Sequence, residues 1–218
     1  TDALGRATTF TYDTVGRLLT QTNALGDIHR TIYDVAGNIS RDIDVLGRET
    51  KYAYDVRGRL VSIVNAAGDM RRYEYDGASN RTATVDELGR RTEFDYDALD
   101  RLVAVTSPDP DGTGTLTRTV SRMEYDAAGN LVASTDALGR ETRYEYDAAQ
   151  RRIKTTDALM HQASIEYDLD GNRIAEVDVL GRRTEFDYDK LNRLIEVRTP
   201  DPLAEGVLPI AFGEATRL

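Results

Sequence analysis

The chain has 218 residues, no cysteine and a net charge of −10. Disulfide and thiolate chemistry are thereby excluded, and sustained contact with nucleic acid or an anionic membrane surface, which needs basic patches, is disfavoured. Tyr is abundant at 12, Trp is absent, and charged residues make up 30% against 40% hydrophobic, a composition for a thin sheet with polar surroundings and not for one thick apolar core.

The first element sets a pattern that the rest of the chain repeats. Thr8, Phe10 and Tyr12 alternate with other residues, so they share one face of a strand, and Thr, aromatic and Tyr are strand-favouring types. Tyr-Asp follows at Tyr12 and returns at Tyr33, Tyr54, Tyr75, Tyr96, Tyr125, Tyr146, Tyr167 and Tyr188. The period is 21 residues except for one step of 29, an eight-residue insertion between Tyr96 and Tyr125. Two residues before each Tyr stand Phe10, Thr31, Tyr52, Tyr73, Phe94, Met123, Tyr144, Ile165 and Phe186; Thr8, Thr50, Thr92, Thr142 and Thr184 stand four before. The residue just before the Tyr belongs to the opposite face, and Glu74, Asp95, Glu124, Glu145, Glu166 and Asp187 make that face acidic.

After the strand comes a turn. Four residues beyond the Tyr stand Gly16, Gly37, Gly58, Ser79, Asp100, Gly129, Gln150, Gly171 and Asn192, mostly types that tolerate positive φ, and Arg or Asn always follows. Runs such as Leu60–Val64 and Leu102–Val105 predict a second strand. A second turn then opens with Asp or Asn at Asp2, Asn23, Asp44, Asn65, Asp86, Asp136, Asp157 and Asp178. Three residues later comes Gly5, Gly26, Gly47, Gly68, Gly89, Gly139 or Gly181, with Met160 as the substitution; Asp-x-Leu-Gly reads as an Asx-initiated turn. Each repeat is therefore strand, turn, strand, turn. Insertions are expected near 107–117 and 199–210, around Pro108-Asp109-Pro110 and Pro200-Asp201-Pro202, which read as exposed loops because Pro cannot donate to a ladder. The segment from Arg90 to Asp97 returns as Arg182 to Asp189, 92 residues on, which suggests duplication of a four-repeat block.

The fold class expected is all-β: a single array over 1–218 of nine tandem β-hairpins in a long, curved antiparallel sheet, part of a spiral shell. Roughly 18 strands at ~4.8 Å spacing would extend about 85 Å if unbroken, and sheets of that size curl or split. The pattern begins and ends mid-repeat, so the chain reads as a fragment of a longer protein whose targeting signal would lie outside it; no apolar run approaches the ~20 residues of a membrane span. Cut ends expose strand edges and invite self-association.

Tyr-Asp-x-x-Gly-Arg-Leu, as at Asp13-Thr14-Val15-Gly16-Arg17-Leu18 and nearly so at Asp126-Ala127-Ala128-Gly129-Asn130-Leu131, joined by Asp-x-Leu-Gly-Arg, resembles the YD repeat of the RHS family to about residue 198. The resemblance implies a spiralling β-sheet shell like those of insecticidal toxin-complex subunits and teneurins, enclosing a C-terminal toxin in bacterial members. Its implied partners are that cargo, neighbouring RHS repeats and secretion-system components, with secretion or delivery following a cytoplasmic stage. The family's aspartyl self-cleaving motif, Asp-Pro-x-Gly-Leu, is not matched by Asp109-Pro110-Asp111-Gly112 or Asp201-Pro202-Leu203-Ala204, so no protease assignment carries over.

The sharper functional readings have plainer counterparts. The Tyr column suits glycan stacking but better suits packing between hairpins. The Asp after each Tyr suits metal binding but better suits turn capping. Asp168-Leu169-Asp170-Gly171-Asn172 and Asp109-Pro110-Asp111-Gly112 each contain part of a calcium loop without the full ligand series. The acidic column faces Arg30, Lys51, Arg72, Arg122 and Arg143, which makes a charge-balanced ladder with no special member for acid–base work. His29 and His161 are read as replacing the usual Thr or Ala at one strand position, two isolated histidines without a nucleophile. No catalytic, cofactor or metal residues are assigned, no cofactor is expected and the chain is read as a non-enzyme. The function expected is a structural shell segment carrying a C-terminal toxin; the alternative is an extracellular carbohydrate- or protein-binding adhesion module.

Overall fold

The computed structural model describes residues 6–112, 116–200 and 212–217. All regular structure among them is β-strand. The residues divide into two units, one ending at Arg118 and the other beginning at Thr119. The first unit holds β1 (Thr9–Tyr12), β2 (Leu18–Thr22), β3 (Ile28–Tyr33), β4 (Ile39–Ile43), β5 (Glu49–Tyr54), β6 (Leu60–Val64), β7 (Met70–Tyr75), β8 (Arg81–Val85), β9 (Arg91–Tyr96) and β10 (Leu102–Thr106). Each strand pairs antiparallel with the next. The second unit repeats the scheme with β11 (Val120–Tyr125), β12 (Leu131–Thr135), β13 (Glu141–Tyr146), β14 (Arg152–Thr156), β15 (Gln162–Tyr167), β16 (Arg173–Val177), β17 (Arg183–Tyr188), β18 (Leu194–Pro200) and β19 (Phe212–Arg217). β19 is an element beyond the hairpins the repeat predicts.

The two turns of each repeat share one design. In the first, the amide of Asp13 donates to the Arg17 carbonyl (2.9 Å) and the Gly16 amide to the Asp13 carbonyl (3.1 Å); in the second, Asn23 with Asp27 and Gly26 do the same. This is a type I turn closed by a left-handed residue. The left-handed place is kept even where Gly is absent: Ser79, Asp100, Gln150, Asn192 and Met160 all have φ between 57° and 80°. Across every first turn the register slips by one residue, as between Glu74 and Tyr75, whose partners are Ala83 and Arg81. Pairing across the second turn runs without a slip.

The alternation read from sequence is visible in burial. In β5 Tyr52 and Tyr54 are half-buried while Lys51 and Ala53 are exposed, and β13 repeats this with Tyr144 and Tyr146 against Arg143 and Glu145. The core is thin. The only hydrophobic residues buried among those described are Ala83, Ala104, Ala133, Ala175 and Phe186. The four alanines lie on the charged face, each opposite a carboxylate: Glu74, Asp95, Glu124 and Glu166.

The loop expectations are modified in two ways. Pro108 and Asp109 are half-buried, and the Asp109 carboxylate caps its own loop by accepting from the Asp111 and Gly112 amides at 3.2 and 3.1 Å. Pro200 closes β18 and pairs with Phe212, so it ends a strand and does not start a loop; its Asp201-Pro202 continuation, most of the expected 199–210 insertion, and Asp2 and Gly5 lie outside the described residues.

Candidate functional site

The chemistry-bearing side chains of the repeat converge on the first-turn edge. Asp55 Oδ1 accepts from the Arg57 and Arg59 amides (2.9 and 3.0 Å), and its Oδ2 accepts from Arg59 Nε at 2.7 Å. Held this way, the Arg59 guanidinium lies over the Tyr75 ring of the next repeat, 4.7 Å from its centroid, and donates to the Asp76 carbonyl (2.9 Å) and Ser79 Oγ (3.2 Å) of the next turn. The Tyr75 hydroxyl donates back to the Leu60 carbonyl at 2.9 Å. Arg17 over Tyr33 (4.5 Å) and Arg151 over Tyr167 (4.4 Å) repeat the stacking; Tyr33, Tyr96, Tyr146 and Tyr188 repeat the phenol-to-carbonyl bond at 2.9–3.1 Å. Tyr33, Tyr75, Tyr96, Tyr146, Tyr167 and Tyr188 thus link their hairpins to the one before within the same unit, and the Asp after each Tyr is a turn cap.

A second regularity went unread in the sequence although it is plain there. The residue after the left-handed position alternates without exception: Arg17, Asn38, Arg59, Asn80, Arg101, Asn130, Arg151, Asn172, Arg193. Where Arg reaches into the next turn, that turn is small. A Cβ on Gly37 would sit 3.1 Å from Arg17 Nη1, and one on Gly171 3.5 Å from Arg151 Nη1. At two of the four Asn positions the next turn reaches back: Asn80 Nδ2 donates to Asp100 Oδ1 (2.7 Å) and Asn172 Nδ2 to Asn192 Oδ1 (3.0 Å). Of the non-Gly left-handed residues, Asp100 and Asn192 are therefore partners of Asn, while Ser79 is a partner of Arg59; the Arg–Asn alternation itself has a period of two repeats.

The turn carboxylates are held ionised. Backbone amides of the residue four ahead lower the pKa of Asp13, Asp55 and Asp147; the side-chain amide of the paired Asn does so first for Asp34, Asp126 and Asp168. A carboxylate whose folded pKa lies below its unfolded value, about 3.9 for Asp, stabilises the fold fully above that value and ceases to do so as pH falls through the folded pKa. The urea midpoint, followed by circular dichroism, is expected to be flat from about pH 7 to 5 and to fall steadily below about pH 4. A midpoint unchanged down to pH 2.5 would show that the turn carboxylates hold nothing.

The acidic face carries two copies of one network. Arg91 spans β8 to reach Glu74 (2.5 and 2.9 Å) and also pairs with Glu93 at 2.9 Å. Arg183 does the same with Glu166 (2.5 and 2.8 Å) and Glu185 (3.0 Å). These carboxylates raise the pKa of both arginines well above its usual value. The far oxygen of each second Glu takes another guanidinium from a different source: Arg118 beyond the insertion for Glu93, Arg198 within β18 for Glu185. Arg118 also donates to the Ser107 and Arg91 carbonyls, fastening the segment after the inserted loop to the end of the first unit.

The histidines do not share a position. His29 lies in β3 with Nε2 2.9 Å from Asp42 Oδ2. His161 precedes β15 and closes the second turn, its Nδ1 2.9 Å from Asp157 Oδ2, where Arg48, Arg90, Arg140 and Arg182 stand in other repeats. The reading of one shared strand position is corrected: counting from the following Tyr, His29 is four residues before and His161 six. Asp168 is occupied by Asn172 through both carboxylate oxygens, and no cluster of three or more metal-ligating side chains occurs among the described residues. No helix among them is long and apolar enough to cross a membrane.

A family profile described as Teneurin YD-shell matches residues 29–202, and one described as RHS Repeat matches residues 1–28. The chain belongs to the teneurin YD-shell family. The YD-shell fold is shared with three crystal structures, each at 18% identity: TcdB2–TccC3 with Cdc42 (TM-score 0.56, 94% of this chain), TcdB2–TccC3 (0.56, 90%) and TcdB2–TccC3 without its hypervariable C-terminal region (0.57, 93%). The YD-shell chain described here spans 13% of each of those chains. No curated protein matches it.

Proposed function

We propose that this chain is a wall segment of a bacterial YD-repeat shell whose work is mechanical: enclosing a toxic C-terminal domain of the same parent protein until delivery. The observation that supports this reading best is the hairpin-to-hairpin ladder at the first-turn edge, in which, within each unit, Asp, Arg or Asn, and Tyr of successive repeats engage one another. Side chains used this way build extent and closure, which a wall needs, and the Arg-covered rings are poorly placed to stack against sugars. At the second-turn edge Leu25, Leu46, Leu88, Leu138, Leu159 and Leu180 are at least 73% exposed; their regular recurrence fits an edge covered by further wall in the parent protein. In this reading the wall itself performs no catalysis, and the parent is exported or delivered through a secretion system.

The test uses the full-length parent. It is passed through non-denaturing gel filtration after limited proteolysis, and the shell-sized peak is searched for C-terminal peptides by mass spectrometry. A C-terminal domain that co-elutes and resists protease until the wall is denatured is the expected result. A tail that is freely digested removes the enclosure reading and moves an extracellular adhesion role to first place.

A further inference from the structure

The residue six beyond each Tyr and the residue two before it meet on the Tyr face. Where the former is Arg, it stacks on the rings beside it: in the first unit Arg81 of β8 lies over both Tyr73 of β7 (5.9 Å) and Phe94 of β9 (5.0 Å). In the second unit this stack is interrupted. Arg152 of β14 lies over Tyr144 of β13 (5.8 Å), and Arg173 of β16 over Phe186 of β17 (4.4 Å). Between them β15 presents Ile165 in the ring position, with Ala163 where Thr is commonest. Ile165 is the one residue of its column with an Arg of this kind on both flanking strands, and it has no ring to offer either. A dent of about 450 Å³ lies there, lined among others by Arg152, Thr155, Ala163, Ile165, Glu176 and Thr184. The two arginines differ. Arg173 is neutralised by Glu176 at 2.5 Å, whereas Arg152 has no carboxylate partner among the described residues.

We propose that this dent is a binding site for an aromatic ring, which takes the place of the missing side chain and stacks against Arg152. An engineered cavity of about 150 Å³ holds benzene, so the space admits a ring with a substituent. The unpaired guanidinium favours a ring that carries an anionic or hydrogen-bond-accepting group, with the Thr155 and Thr184 hydroxyls as further polar neighbours. The ring belongs to a free aromatic acid or to an aromatic side chain of a peptide; the chemistry recognised is the same.

The experiment is an amide chemical-shift titration of the 218-residue chain with 4-hydroxyphenylacetate, N-acetyl-tyrosinamide and, as a saturated control, cyclohexylacetate. Saturable shifts at Thr155, Ala163, Ile165 and Glu176 are expected, with half-saturation in the low millimolar range for a ligand of about a dozen heavy atoms. Aromatic probes should bind at least about threefold better than the saturated one, and Arg152→Gln should weaken them roughly fivefold, the scale of an exposed cation–ring contact. Ile165→Phe, which restores the ring, should abolish binding while the spectrum stays folded; should that variant not fold, Arg152→Gln and the cyclohexyl control still decide. Binding by the acid alone assigns the site to free aromatic acids, and binding by the amide to peptide side chains. No saturation up to about 10 mM, equal binding of cyclohexylacetate, or unchanged binding in Ile165→Phe overturns the proposal.

Discussion

Ala175→Glu is expected to destabilise the second unit by about 2–3 kcal/mol, whereas Ala175→Lys at the same place should cost only about 1 kcal/mol. Ala175 is fully buried although no second layer of strands is paired over it among the described residues. Its cover is made by its neighbours: it pairs with Glu166 on one side and Glu185 on the other, and the Arg183 guanidinium crosses above it to Glu166. The ion pair itself is partly exposed, so it contributes ~1 kcal/mol or less; its larger effect is to close the space that only a methyl group fits. Any longer side chain must displace that arch, which is the cost common to both substitutions. Glu adds a third carboxylate directly opposite two others, while Lys places a further cation beside them, as Lys154 does for Glu145 at 3.1 Å one repeat earlier. The gap between the two variants in urea denaturation should shrink as salt is added. Equal losses for Glu and Lys would mean that crowding alone acts and that the charge ladder is passive.

That arch also marks how far the sequence could be read. The 21-residue period, both turns and the Tyr face were legible because they depend on local chemistry: alternation of two and residues that tolerate positive φ. The burial of Ala175 and Ala83 was not, since alanine in a strand carries no pattern of its own. It becomes a core residue only because the register sets it between two glutamates two strands apart. The same limit hid the common end of the two networks, where Arg118 and Arg198 reach equivalent glutamates from non-equivalent positions. The left-handed φ of Ser79 and Gln150 ran against residue preference, and it follows from the turn geometry around them. The alternation of Arg and Asn after the first turn was fully present in the residues. It acquires meaning only when the reach of each side chain to the next turn is known. The separation of two histidines onto a strand and a turn was available by counting alone.

The other large effect is expected at the ladder that joins hairpins. Tyr75→Ala should cost about 2–3 kcal/mol and Tyr75→Phe about 1 kcal/mol, the latter isolating the hydroxyl's hydrogen bond to the Leu60 carbonyl. The carbonyl follows the first turn of the preceding hairpin, next to the slip in register that sets Leu60 opposite Tyr54, so removing the phenol leaves a partly buried acceptor without that partner. Arg59 is fixed by Asp55 whether or not the ring is present, so Arg59→Ala should cost about 0.5–1 kcal/mol less in a Tyr75→Ala background, where only its bonds to Asp55, Asp76 and Ser79 remain to be lost. Tyr12 supplies the internal control: it is 58% exposed and no repeat is described before it, so Tyr12→Phe should change stability by less than about 0.3 kcal/mol. In a repeat array the coupling runs between nearest neighbours, so hydrogen exchange in Tyr75→Ala should quicken across β6, β7 and β8 and stay unchanged in β2 and β3. A loss for Tyr75→Phe no larger than for Tyr12→Phe would show that ring packing, and not the phenol bridge, ties one hairpin to the next.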